Sequence, residues 1–148
     1  MAVVYKIDPR DPTGALLLPQ LAQRLQLYAA EYERIYDPRV PVANYMSRLW
    51  ADDPNLLILG LVEADSGALV GHVVAEKTGS LVNVLQLRAD QNVGDALQEA
   101  VSRAIEWGLA SGCTDALVHT TGNGRDWEKR LPGLKRYRQL WHLPLAKN

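Results

Sequence analysis

The sequence predicts an α+β fold in α/β/α layers, and three observations predict it. First, the apolar runs 56–63 and 68–76 flank Asp65-Ser66-Gly67, and a third begins at Leu81 after Lys77-Thr78-Gly79-Ser80. Short turn signals between such runs read as an antiparallel meander. Second, these strands are apolar almost throughout rather than alternately, so both faces of the sheet need cover. Third, an amphipathic helix follows the third run, and another apolar run, Ala116–Thr120, returns after it. A strand–helix–strand crossover sets its two strands parallel, which makes the sheet mixed.

Taken in order, Val3-Val4-Tyr5-Lys6-Ile7 is a short strand stopped by Asp8-Pro9 and Asp11-Pro12-Thr13-Gly14. Pro19 suits the first turn of a helix, because its missing N–H would have no partner there. Leu18, Leu21, Ala22, Leu25, Tyr28, Ala29, Tyr32, Ile35 and Tyr36 keep helical spacing as far as Asp37-Pro38. A second helix spans Val42 to Trp50, with Val42, Tyr45, Met46, Leu49 and Trp50 on its apolar side. After the meander, Val93, Ala96, Leu97, Ala100, Val101, Ala104, Ile105 and Gly108 recur at helical steps, while Asp95, Gln98, Glu99, Arg103 and Glu106 fall opposite. Ser111-Gly112 ends that helix, and Thr121-Gly122-Asn123-Gly124 follows the next strand as a loop. Arg125 to Leu131 forms about two turns of helix by its length, before Pro132-Gly133. Leu134 to Leu143 alternates in the manner of a terminal strand.

Composition narrows the class. A chain of 148 residues, 47% hydrophobic and 22% charged, can bury a full core as one domain over 1–148. No apolar run is long enough to span a bilayer, and the first residues lack the pattern of a signal peptide. The expected compartment is cytoplasmic. A single cysteine, Cys113, supplies neither a disulfide framework nor a thiolate metal site, and no metal is expected. Charge is uneven: residues 51–123 carry three basic and ten acidic side chains, whereas 124–148 carry seven basic and two acidic. The basic tail suits a phosphate-bearing ligand or an acidic surface. The plainer reading is a solvated edge strand protected from aggregation, and it is preferred. With a net charge of −1 and no reader motif, nucleic acid is not the expected partner.

The turn Gln91-Asn92-Val93-Gly94-Asp95-Ala96 joins the third meander strand to the long helix. The first amides of a helix have no internal partner and, with the helix dipole, suit a phosphate or pyrophosphate. Gly94 lets the backbone approach such a ligand closely. Gln91-x-x-Gly94-x-Ala96 fits the Q/R-x-x-G-x-G/A signature of the GNAT-type N-acetyltransferases, and the order β-α-α-β-β-β-α-β-α-β resembles their fold over nearly the whole chain. The short helix at Arg125–Arg130 adds a looser likeness to compact phage-encoded members.

The resemblance implies acetyl-coenzyme A as co-substrate and two central parallel strands that splay apart to receive its pantetheine arm. Leu85, Gln86, Leu87 and Arg88 would offer the free strand edge, and Gln91, Asn92, Val93, Gly94, Asp95 and Ala96 the phosphate cradle. Asn123 sits where many members place an Asn against the cofactor arm, although a Gly-Asn-Gly turn favours Asn on backbone grounds alone. The implied reaction is direct attack of a neutral amine on the thioester, which requires a proton acceptor and oxyanion donors. His119, at the end of its strand, and Glu76, acting through water, are the candidate catalytic residues; each also reads as an ordinary strand-end side chain, as does Glu63. His72 reads as a packed residue in mid-strand.

The chain departs from the family pattern in having no Tyr near Trp127–Gly133 to protonate the departing thiolate, since Tyr137 falls in the next strand. Two readings follow. One is an acyl-coenzyme A-dependent N-acyltransferase acting on an amine acceptor, small molecule or protein. The other is a weak or inactive domain of the same fold with a structural or interaction role, as a homodimer or among phage structural proteins in a virion or host-takeover assembly. Neither reading involves a membrane.

Overall fold

A computed structural model of the chain describes residues 1–33, 37–91, 93–120, 127, 129–131, 133 and 134. Strand β1 (Ala2–Lys6) leads to helices α1 (Pro12–Glu31) and α2 (Arg39–Trp50). The meander β2 (Leu56–Glu63), β3 (Leu69–Thr78) and β4 (Leu81–Ala89) follows, then helix α3 (Ala96–Ala110) and β5 (Asp115–Val118). The strands lie side by side in chain order. Neighbours are antiparallel from β1 to β4, and β4 pairs with β5 in parallel. The fold is therefore the expected one through β5: a mixed five-stranded sheet with helices on both faces.

Two cores explain why the strand runs are apolar throughout. Successive residues of a strand point to opposite faces, so Val73 and Ala75 serve the α3 side while Leu69 and Val74 serve the α1/α2 side. On the first side Ala96, Ala100, Val101 and Ala104 of α3 pack on Val82 and Val84. Their small size brings the helix close. Gly108 marks the limit, since a Cβ there would lie 2.7 Å from Val82 Cβ. On the second side Leu17, Leu21 and Leu25 of α1, with Val42 and Leu49 of α2, cover Leu56, Ile58 and Val62. Fully burying each such side chain is worth roughly 1.5–3 kcal/mol, which is why patterning dictated the layers.

Element ends differ from expectation in instructive ways. Helix α1 begins at Pro12 rather than Pro19, because Asp11 already accepts the first helical bond, from Ala15 N–H at 2.8 Å. Pro19 then lies inside the helix, its exposed ring on the outer face. The helix stops at Glu31, short of the Ile35 and Tyr36 whose spacing suggested a longer run; 34–36 are outside the described residues. Helix α2 starts at Arg39 and α3 at Ala96, three residues earlier and three later, respectively, than the apolar spacing alone indicates. Trp127, Lys129 and Arg130 are helical, and Leu131 N–H bonds Trp127 O at 2.9 Å. Buried Trp127 joins the α3 core, and Gln98 of α3 donates to Arg130 O. The expected terminal strand, apart from Leu134, lies outside the described residues, as do Asn92, Asn123 and Tyr137. Among the described residues no helix is long and apolar enough to cross a membrane.

Candidate active site

The central feature is a parting of β4 from β5. The two strands pair from Leu81 opposite Asp115 to Val84 opposite Val118, and His119 N–H adds a last bond to Val84 O at 2.9 Å. Beyond that point β5 has ended, while β4 runs on to Ala89 held by β3, with Gln86 opposite Val74 and Ala89 opposite Gly71. The β3–β4 register slips at Val74/Ala75, so Leu85 is an extra residue in β4. A bulge of this kind bends its strand and sharpens the local twist. Among the described residues, 85–89 thus have a strand neighbour on one side only. Leu85 leans toward the α1/α2 core, Leu87 is buried toward α3, and the Arg88 guanidinium lies 5.0 Å over the Tyr32 ring.

The loop after β4 is anchored at its start. Asp90 N–H bonds Val70 O at 2.8 Å, and Arg24 of α1 forks onto the Asp90 carboxylate with both terminal nitrogens at 3.2 Å. Gln91 is exposed, and Val93 tucks against the α3 core. Gly94 has φ +64°, where an L side chain costs roughly 1–2 kcal/mol. A Cβ on Gly94 would meet nothing within 4 Å, so the backbone faces open space there. Asp95 caps α3 without a side-chain bond; its carbonyl accepts from Glu99 N–H at 2.9 Å. Ala96 is buried under the first turn. An open approach, a left-handed glycine and the first-turn amides of a 15-residue helix, which lack an intrahelical acceptor, are chemically suited to a diphosphate.

A polar chain runs into the α1/α2 face of this same stretch. His72 of β3 and Gln86 of β4 are each 1% exposed, and His72 Nε2 lies 3.1 Å from Gln86 Oε1. Gln86 Nε2 donates to Glu33 Oε1 at 2.9 Å, just beyond the end of α1. Burial pushes the His72 imidazole down to about 4, against the help of its Gln86 bond, so it is neutral near pH 7. A neutral imidazole facing an amide oxygen carries its proton on Nε2 and donates. That fixes the Gln86 amide with its NH2 toward Glu33. Burial raises the Glu33 carboxyl, and the Gln86 bond opposes the rise. Two phenols stand close: burial lifts Tyr28 and Tyr45 each to about 12, and the Glu33 charge adds to both. Tyr28 also meets the His72 ring edge-on at 5.6 Å between centroids.

Of the residues singled out as catalytic candidates, Glu76 is half-buried and held by Arg48 at 2.6 Å, and Arg48 also binds Asp53 at 2.7 Å. His119 stands where the strands part. It lies one residue past the end of β5, and its Nε2 is buried. Sequence reading passed over Glu33. The available signal was a His and a Gln inside otherwise apolar strands, both of which need partners once buried. Two other hollows lie elsewhere. One of about 240 Å³ is lined by Arg10, Arg48, Asp52 and Trp107, and another of about 370 Å³ runs between Tyr5, Leu16 and Val62.

No known family pattern matches the chain, and no curated protein matches it by sequence. Solved structures match it closely in shape. AAC(6')-Iy, in complex with the bisubstrate analog CoA-S-monomethyl-acetylneamine, is similar with TM-score 0.68 and 13% identity over 99% of both chains. Glucosamine-6-phosphate N-acetyltransferase from Arabidopsis thaliana is similar with TM-score 0.68 and 10% identity, again over 99% of each. A probable acetyltransferase gives TM-score 0.69 and 12% identity over 99% of both. The chain has the GNAT fold. At these identities the likeness concerns architecture, and it does not bear on phage origin.

Proposed function

We propose that the chain is an acyl-coenzyme A-dependent N-acyltransferase that moves an acetyl group from acetyl-coenzyme A to an amine. The observation that carries this reading is the parting at Val84 and Val118, which leaves β4 residues 85–89 with one strand neighbour among the described residues and leads them straight into the Gly94 turn. The similar AAC(6')-Iy structure, with its coenzyme A-based bisubstrate analog, supports it. The parted strands would hold acetyl-coenzyme A, which would supply an acetyl thioester for the amine nitrogen to attack, with the thiolate as leaving group.

The chain's own residues have three tasks in this reading. Gln91 to Ala96, with Asn92 among them, cradle the diphosphate through amides and the α3 dipole. The edge from Leu85 to Arg88 binds the arm, and Asn123 is the expected further contact. The acceptor's ammonium must give up a proton before its nitrogen can attack, and His119, at the end of β5, is the residue that takes it. Glu76 serves through water, its carboxylate being held by Arg48.

Titration calorimetry with acetyl-coenzyme A tests the reading, followed by detection of free thiol on adding amines. Micromolar binding and amine-dependent thiol release are expected. Binding without release leaves a cofactor-holding domain in a structural role, and no binding overturns the proposal.

A further inference from the structure

We infer that Glu33 is the carboxylate that receives a cationic group of the acceptor, held in place for that purpose by the buried His72–Gln86 pair. The inference rests on the acyl-transfer reading and narrows its acceptor to amines that carry a second positive charge besides the reacting nitrogen. Three observations carry it. Gln86 belongs to the stretch of β4 that has left β5, so a group it holds stands beside the parting. Glu33 has no ion-pair partner among the described residues, and only Oε1 is bonded, by a neutral amide. Among the described residues, Arg48 is committed to Glu76 and Asp53, Arg24 to Asp90, and Arg88 lies over Tyr32.

The cost of the arrangement points the same way. Two polar side chains at 1% exposure sit among the buried Val, Leu, Ile and Ala of the sheet, and His72 Nδ1 has no hydrogen-bond partner among the described residues. Apolar residues of that size would pack there without an orphaned nitrogen. What the pair accomplishes is orientation. His72 donates to the Gln86 oxygen, which turns the Gln86 amide NH2 outward and leaves Glu33 able only to accept. A carboxylate held in that way has its other oxygen free for an ammonium, and such charge-assisted bonds are the strong ones. Gln86 and His72 are positioning residues; Glu33 touches the acceptor.

The test uses the intact protein, with 1,4-diaminobutane as probe and 1,4-butanediol as the uncharged control. Calorimetry without acetyl-coenzyme A is expected to show diamine binding that weakens about tenfold or more in Glu33→Gln, with the diol binding neither protein. In turnover, Glu33→Gln is expected to raise the amine KM about tenfold at near-constant kcat, since a lost acceptor contact falls on binding. His72→Leu, which removes the donor that turns the Gln86 amide, should shift the same KM in the same direction while leaving acetyl-coenzyme A affinity unchanged; a merely structural role would not separate the two ligands. Equal diamine affinity in wild type and Glu33→Gln overturns the inference, as does a fall in kcat with amine affinity unchanged. If acetyl-coenzyme A fails to bind while diamine binding still depends on Glu33, the acyl-transfer reading falls and the cation site stands. If acetyl-coenzyme A binds and Glu33→Gln turns over amines like wild type, the reverse holds.

Discussion

The two faces of the sheet are built to different rules. Under α3 the contacts are Val, Leu, Ala and Trp, with the small face of the helix pressed on Val82 and Val84. Under α1 and α2 the half nearer β2 is equally dry, but toward β4 it gives way to His72, Gln86, Glu33, the buried Tyr28 and the partly buried Tyr45. The dry face needs only density. The mixed face holds polar groups in fixed orientation, and it does so where β4 has lost β5 as a neighbour. Stability and chemistry are thus assigned to opposite sides of one sheet, and each assignment can be broken separately.

The largest effect belongs to His72. Its imidazole ordinarily titrates at 6.5 and is pushed down to about 4 by burial. Between those values the unfolded chain binds the proton and the folded one does not, so stability is fully present above pH 6.5 and is lost as pH falls toward 4. The full difference is about 3 kcal/mol. Glu33, whose carboxyl is raised, contributes with the opposite sign in the acid range. Urea melts of wild type against His72→Leu at pH 7 and pH 4.5 measure this: the variant should lose much of the acid sensitivity. At pH 7 His72→Leu leaves the Gln86 oxygen unpaired at a cost of roughly 1–3 kcal/mol. The double change His72→Leu with Gln86→Leu should recover most of that loss, because no orphaned group remains. If the single change is as stable as the double, the polar pair is not bonded as described.

Next in size is Gly94→Trp, which fills the open approach in front of α3 and adds strain at φ +64°. Calorimetry should show acetyl-coenzyme A affinity reduced about 100-fold or more, equivalent to about 2.7 kcal/mol. The melting temperature should move only by the left-handed penalty of roughly 1–2 kcal/mol. Retained affinity would mean that the ligand avoids this turn, and the contrast between a chemical and a structural face would lose its main support.

The sequence made the dry parts legible and the polar parts not. Periods of two and three to four residues are written into neighbouring positions, so Leu57 and Ile58, or Ala100 and Ala104, announce their layers locally. The Gly94 turn was legible because one backbone conformation demands one residue type. Glu33 was not, since its partner Gln86 lies 53 residues away and the contact exists only after the sheet and α1 have docked. The bulge at Leu85 was hidden for the same reason: an extra residue in β4 is defined only against β3. Pro12 read as part of a turn and Pro19 as the helix start, whereas Asp11 O, accepting from Ala15 N–H, opens the helix at Pro12.

Glu76→Gln should have a smaller effect. Its carboxylate is half-buried on Arg48, so the change should cost about 1 kcal/mol, near the upper end for partly exposed pairs. Arg48 retains Asp53, which limits the damage. Thiol-release rates measured beside Glu33→Gln rank the two carboxylates on the mixed face. A collapse in kcat for Glu76→Gln alone would assign the proton transfer to Glu76 and leave Glu33 with binding.

The smallest effect lies on the outer side of α3. Arg103 binds Glu99 at 2.8 Å one turn away, both side chains about half exposed. Such pairs are worth about 0.3–0.5 kcal/mol and weaken with salt. Arg103→Ala should therefore shift a urea midpoint only slightly at low salt, hardly at all at 1 M salt, and leave acetyl-coenzyme A binding untouched. Arg103 also reaches the Val4 carbonyl of β1 at 3.4 Å, a long bond by hydrogen-bond standards. A salt-insensitive loss well above 0.5 kcal/mol would show that this bond, rather than the ion pair, ties α3 to the edge of the sheet. The α3 side would then owe its rigidity partly to polar contacts, and the division between the two faces would be one of degree.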